Sequence, residues 1–394
     1  LYTCPACGIE GILDVEYDLD RVARTLTRQA LAGRPHSHWR YEELLPVDFG
    51  RPLPHLQVGM TPVYPAPRLA EAVGVKTLWV KDEGRNPTAS FKDRASSLGV
   101  VKARELGKEV IACASTGNAA SSLAGFAAAV GLRSFIFVPE RAPEPKIAQL
   151  LIFGATVLRV RGSYDQAWRF CQDACEKYGW YNRNCAVNPY LVEGKKTVGL
   201  ELGETLGDDL PDWVVLSVGD GCTFFGAWKG LQQMHQLGFL KKLPRMLGVQ
   251  ASGAAPVTEA WANKADHIKG GMDPQTLADS IAVGQPRNWR KALKAARDSN
   301  GAMVNVDDPE ILDAMRKTAR LAAVFAEPAG AASVAGLAAA VRQGLVGRGE
   351  TALCVATGNG LKDVKSAIQA TTPPIDLPPE MDALEAELKE RRLI

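Results

Sequence analysis

Three times along this chain a short apolar run ends in a polar, glycine-bearing loop that leads straight into a helical stretch. No other feature constrains the fold as strongly. The three are Glu109-Val-Ile-Ala-Cys-Ala114 before Ser115-Thr-Gly-Asn118, Trp213-Val-Val-Leu-Ser-Val218 before Gly219-Asp-Gly-Cys-Thr223, and Thr351 to Ala356 before Thr357-Gly-Asn-Gly360. Continuous apolar runs of this length, without polar alternation, are the pattern of strands buried on both faces of a parallel sheet. The rhythm continues between them. Strands are expected at Thr77 to Asp82, Ser134 to Val138, Thr156 to Val160 and Arg245 to Gln250. Helices are expected at Pro145 to Phe153, Ser163 to Tyr178 and Asp308 to Val324. Strands alternating with helices at this spacing predict an α/β fold of two open parallel-sheet domains with helices on both faces. In such sheets the loops at the carboxyl ends of the strands build the ligand crevice.

The remainder is less regular. Asp20 to Leu31 has helical periodicity, and Gly50 to Pro67 carries five prolines, which predicts an extended connection. Residues 262 to 305 read as looser, and a charged amphipathic helix closes the chain. A formal charge of +2 gives no broad basic face for nucleic acid. No apolar run approaches the roughly 20 residues that span a bilayer, and the first residues lack a basic-then-apolar leader pattern, so a cytoplasmic location is expected. Eight cysteines over 394 residues form no disulfide framework. Cys4-Pro-Ala-Cys7 has the spacing of one zinc-ribbon knuckle, but no second pair stands nearby; a reduced turn without metal is the expectation.

The residues that carry chemistry begin with Asn86-Pro-Thr-Ala-Ser-Phe-Lys-Asp-Arg94. Ser90 followed three residues later by Asp93 is a capping-box pattern, which predicts a helix from Ser90 to about Ala103 with Lys92 in its first turn. There the positive end of the helix dipole lowers the cost of a neutral amine, the form that attacks a carbonyl to make a Schiff base. Read alone, Lys92 is more simply a solvated lysine beside Asp93 and Arg94, and it is the rest of the chain that argues otherwise. The Gly219 loop is the best phosphate cradle, since its glycines let backbone amides approach an anion at a helix N-terminus. It lacks the Gly-Lys-Ser/Thr of a nucleotide P-loop. Phe224 stands where a dinucleotide fingerprint needs its third glycine, and Gln250-Ala251 supplies no ribose-binding acid. A nucleophilic lysine, a phosphate cradle and polar loops from neighbouring strands together suit pyridoxal phosphate.

These residues resemble threonine synthases, pyridoxal-phosphate enzymes with the tryptophan-synthase-β fold. The similarity rests on Asn86 to Arg94, Ser115-Thr-Gly-Asn118, Glu193-Gly-Lys-Lys-Thr197, Thr276 to Pro286, Glu327-Pro-Ala and Thr357-Gly-Asn-Gly-Leu-Lys-Asp363. It implies that Lys92 carries the cofactor and moves protons, that Phe91 lies against the pyridine ring, and that Asn118 bonds the ring hydroxyl. Gly219, Asp220, Gly221, Cys222 and Thr223 are then expected at the cofactor phosphate and Thr357 at the pyridine nitrogen. Ser115, Thr116, Gly117 and Asn118 are expected at the substrate carboxylate. The resemblance also implies an N-terminal extension over 1–50, a large cofactor-binding domain over 51–97 and 188–371, a small mobile domain over 98–187 and a C-terminal arm over 372–394, in a homodimer acting on a small amino acid. The chain departs from the family pattern at Ala119, where a hydroxyl residue is expected, at Ala186, where a serine is expected, and at Leu191, where an arginine is expected. An apolar leucine cannot meet a phosphate dianion, so Arg183, Lys195 or Arg85 must compensate. The expected reaction is conversion of O-phosphohomoserine and water to threonine and phosphate. The alternatives are replacement or elimination on O-phosphoserine, threonine or serine, and a non-catalytic sensor of the same fold.

Overall fold

The computed structural model describes residues 2–8, 11–142, 144–184 and 187–394. Ala186, one of the three departures, lies outside them. The strands are β1 (Val63–Pro65), β2 (Thr77–Asp82), β3 (Val110–Ala114), β4 (Arg133–Pro139), β5 (Thr156–Val160), β6 (Tyr181–Asn182), β7 (Trp213–Ser217), β8 (Arg245–Ala251), β9 (Ala302–Val306) and β10 (Thr351–Ala356). They form two sheets, one of order β1-β2-β10-β7-β8-β9 and one of order β5-β4-β3-β6. Every pairing is parallel except β1 with β2.

Side chains that alternate along a strand face opposite layers. In β10, Leu353 and Val355 pack with the helix Cys222–Gln236, while Ala352, Cys354 and Ala356 pack with the helix Pro328–Arg342. The smaller sheet repeats this: Ile111 and Cys113 of β3 meet Leu123 and Phe126 of the helix Asn118–Val130. Ala112 and Ala114 meet Trp168 and Cys171 of the helix Tyr164–Tyr178. Both sheets are therefore covered on both faces.

Several local expectations are corrected. The stretch from Asp20 to Leu31 is two short helices, Leu19–Val22 and Arg28–Ala32, because Thr27 accepts from Ala30 N and starts the second afresh. The proline-rich connection includes β1, which borders β2 at the sheet edge, where a strand can hold prolines. The looser region contains the helix Trp289–Asp298 and the edge strand β9. The catalytic-type helix runs from Lys92 to Glu105 and lacks the capping box. Asp93 turns back to accept from Thr88 N at 2.6 Å and from the Thr88 hydroxyl, which leaves the buried Ser90 hydroxyl outside any cap.

Candidate active site

Lys92 is the first residue of its helix and is half-buried. What fixes it is the segment on either side. Phe91, fully buried, donates its backbone N–H to Thr357 O at 2.8 Å, so the residue before the lysine is tied to the loop after β10. That loop lies between two others: Asn359 N donates to Ala89 O, and Glu327 N donates to Gly358 O. Gly358 fits there because a Cβ would fall 2.5 Å from Glu327 Oε1.

On the other side, Arg94 is fully buried between two carboxylates, reaching Glu83 Oε1 and Oε2 at 2.7 Å and Glu201 Oε1 and Oε2 at 2.5 and 2.7 Å. Lys81 Nζ stands 3.0 Å from the same Glu201, so two buried anions meet two buried cations. The Glu193-Gly-Lys-Lys-Thr197 motif serves this packing. A Cβ at Gly194 would lie 2.0 Å from the Arg94 carbonyl oxygen, and Thr197 Oγ1 accepts from Arg94 Nη1 at 2.8 Å.

Asn118 opens the helix Asn118–Val130 and donates through Nδ2 to Glu327 Oε1 at 2.7 Å and to Ser280 Oγ at 3.3 Å. Burial pushes the Glu327 carboxyl above the usual range, while the Asn118 bond and the Lys92 charge pull it partly back. Glu327 thus links Lys92, Asn118 and the Thr357 loop. Asn118, Ser280 and Glu327 line a cleft together with Thr116, Lys146 and Lys362. Gly117 lies in the same wall, and Ser115 Oγ accepts from its N–H.

The Gly219–Thr223 turn follows β7, whose neighbour in the sheet is β10. It abuts the cleft wall, since a Cβ at Gly219 would lie 3.3 Å from Ile281 Cα, beside Ser280. Gly221 has φ +94° and heads the fifteen-residue helix Cys222–Gln236, with the Asn288 carbonyl 2.8 Å from where a Cβ would sit. Asp220 does not face a ligand through its carbonyl: it accepts from Asn288 N there and through Oδ1 from Arg287 N. Cys222 is buried and Thr223 half-buried at the head of the helix.

The proposed compensating cations do not line the cleft. Arg183 is buried on Ser96 Oγ, Arg85 is exposed and paired with Asp82, and Lys195 is buried where its helix meets Gly226. Leu191 is fully buried against Gly99, while Ala119 is half-buried in the second position of its helix. The cations at the cleft are Lys146 and Lys362.

Residues 55–358 match the model of the pyridoxal-phosphate dependent enzyme family. The chain is 39% identical to a threonine synthase of Methanocaldococcus jannaschii over 391 residues, covering 99% of this chain and 96% of that one. It is 41% identical to one of Methanosarcina acetivorans over 385 residues, covering 98% and 93%. The chain belongs to the threonine synthase family of pyridoxal-phosphate enzymes. The fold agrees: the processed form of threonine deaminase isoform 2 from Solanum lycopersicum superposes with a TM-score of 0.67 at 22% identity, over 91% of this chain and 95% of that one. Maize serine racemase gives the same TM-score at 19% identity, over 96% and 100%.

The residues present fit the family's cofactor. A glycine turn at a helix N-terminus suits its phosphate. Beside that turn, the Asn288 side chain is buried with neither its Oδ1 nor its Nδ2 hydrogen-bonded among the described residues, which leaves both free for a bound group. Sequence reasoning missed Glu327, Ser280, Lys146 and Lys362 as members of one cleft. Glu327 and Lys362 sat in motifs already singled out, but nothing marked Lys146, whose place depends on the packing of the smaller sheet.

Proposed function

We propose that this chain is a lyase converting O-phosphohomoserine and water into threonine and phosphate. The observation that carries this is identity of about 40% across essentially the whole chain to two threonine synthases, with Lys92 at a helix head beside the Asn118–Glu327 pair. Bound pyridoxal phosphate supplies the electron sink that acidifies the substrate's α-carbon hydrogen. Lys92 holds the cofactor through Nζ and, once released, takes the proton from the α carbon. Phe91 packs against the ring and Thr357 offers its hydroxyl to the ring nitrogen. Asn118 meets the ring hydroxyl, and Gly219 to Thr223 hold the phosphate. Ser115, Thr116 and Gly117 orient the substrate carboxylate at the start of the Asn118 helix. A second proton then leaves the β carbon, the electron pair so freed expels phosphate from the γ carbon, and water adds at the β carbon while the γ and α carbons each regain a proton.

The same reading assigns 51–97 and 188–371 to a large domain, 98–187 to a small mobile one, 1–50 to an extension and 372–394 to an arm, in a cytoplasmic homodimer. No helix among the described residues is long and apolar enough to cross a membrane. One observation favours a second substrate: the position of the family's arginine holds the buried Leu191, which leaves O-phosphoserine as a rival.

The deciding assay follows phosphate release from O-phosphohomoserine and from O-phosphoserine, with deamination of threonine and serine in parallel. Release from the first with formation of threonine is expected. Deamination alone defeats the proposal. Lys92→Ala removes the visible absorbance of the bound cofactor, whereas Lys102→Ala, at a lysine paired with Glu105 near the other end of the same helix, leaves it intact.

A further inference from the structure

Once Arg183, Arg85, Lys195 and Leu191 are set aside, the cleft wall itself holds the cations that remain. Lys362 lies in the 3-10 turn Gly360–Asp363 after β10, and Lys146 lies on the helix Glu144–Ile152 that flanks the smaller sheet. The two come from different sheets and face one cleft. Burial holds Lys362 below its ordinary pKa, the nearby Glu327 and Asp93 charges oppose this, and the Lys146 charge adds to it. Its Nζ donates to two neutral oxygens, Ser121 Oγ at 3.0 Å and Gln149 Oε1 at 3.4 Å. Among the described residues, no carboxylate is in ion-pair contact with it.

The acids of the same wall are engaged elsewhere. Glu327 accepts from Asn118, and Asp363 caps the next helix through Ser366 N and Oγ. Asp279 pairs with Lys146 at 2.5 Å with its own side chain half exposed, and pairs that solvent reaches open at little cost. Two like charges on one cleft wall, one of them with no carboxylate of the described residues in direct contact, are the arrangement that a doubly charged oxyanion relieves. Ser121, which bonds Lys362, lies one helical turn beyond Asn118, so the subsite is next to the place assigned to the substrate.

We propose that Lys362 and Lys146 form a phosphate-monoester subsite that grips the leaving group from both sheets. This rests on the lyase reading above and replaces the family's missing arginine with a different pair of cations. The dianion displaces Asp279 from Lys146 and takes the remaining donors of Lys362. Phosphate that has left the γ carbon occupies the same place before release.

The test uses the holoenzyme and two probes, O-phosphohomoserine in turnover and inorganic phosphate as a competitor of it. Lys362→Met is expected to raise KM by about tenfold or more and to weaken inhibition by inorganic phosphate to a similar degree, the size expected for one charged hydrogen bond. The visible cofactor band stays unchanged, which shows that the variant has folded and loaded. Lys362→Arg restores most of the loss, and Lys146→Met produces a smaller effect of the same sign. Unchanged KM and unchanged phosphate inhibition in both methionine variants overturn the subsite. If the wild type does not consume O-phosphohomoserine, the lyase reading fails by itself. The subsite is then judged on whether inorganic phosphate blocks the spectral shift caused by O-phosphoserine, and blockage that is equal in wild type and Lys362→Met overturns it.

Discussion

Gly221 shows how much one residue can carry. Its φ of +94° is a conformation that only glycine adopts without strain, and a Cβ there would press on the Asn288 carbonyl at 2.8 Å. Gly221→Ala is therefore expected to cost roughly 1 to 3 kcal/mol in folding stability and to loosen the turn's hold on phosphate. Urea unfolding of the apoprotein measures the first effect, and release of cofactor on dialysis measures the second. A variant as stable and as cofactor-retentive as the parent would show that the turn neither needs glycine nor holds the phosphate. Asn288 makes the complementary case. Its side chain is buried without a hydrogen-bond partner among the described residues beside the same turn, so Asn288→Leu should weaken cofactor affinity while leaving apoprotein stability nearly unchanged. Fluorescence titration with pyridoxal phosphate separates the two.

At the scale of elements, the helix that begins with Lys92 is placed by burial of charge. Arg94 sits between Glu83 and Glu201, and removing it leaves two carboxylates in the interior with Lys81 as their remaining cation. Breaking such a group by deleting one partner typically costs about 3 to 5 kcal/mol. Arg94→Met should lower the urea midpoint accordingly, and a loss under about 1 kcal/mol would mean that solvent already screens the network. This network also explains what could be read from the sequence. The strands β2, β5 and β10 were legible to the residue, because apolar runs bounded by turn signals leave little choice of ends. The start of the Lys92 helix was not. Ser90 and Asp93 satisfy the local capping pattern, but Thr88 competes for the Asp93 carboxylate and wins through the fold of the preceding loop. The Arg94–Glu201 contact joins residues 107 apart, which no local pattern reports. The helix Trp289–Asp298 was overlooked, although Trp289, Leu293 and Ala296 repeat at helical spacing, because glycines and prolines dominate the residues before it. Of the site, the lysine and the glycine loops were legible as motifs. The two cleft lysines were not, since a lysine in a turn, as Lys362 is, or near the start of a surface helix, as Lys146 is, looks solvated until its neighbours are known.

Across the whole molecule, His38 joins parts of the chain that are distant in sequence. It precedes β1 in the chain and is fully buried, with Nε2 at 3.2 Å from Ser97 Oγ on the Lys92 helix and Nδ1 at 3.5 Å from Thr197 Oγ1 on the helix Tyr190–Leu206. Burial, helped by the Arg94 charge and opposed by Glu201, pushes its pKa down from 6.5 to about 3. The folded protein therefore keeps His38 neutral at pH values where the unfolded chain has already bound a proton there. Above pH 6.5 the group is neutral in both states and has no effect on the balance. As pH falls from 6.5 towards 3 the unfolded state gains protons that the native state refuses, and stability declines by an amount that a shift of this size bounds at about 5 kcal/mol. Replacing His38 by glutamine keeps hydrogen-bonding atoms in the pocket but removes the titration. The variant should be somewhat less stable than the parent at pH 7.5, because its packing is imperfect, and should lose less stability on acidification to pH 4.5. Parallel unfolding curves at several pH values give the comparison. If the two proteins lose stability in step, His38 is solvated or charged in the native state, and the segment around it is not locked to the core in the way its contacts imply.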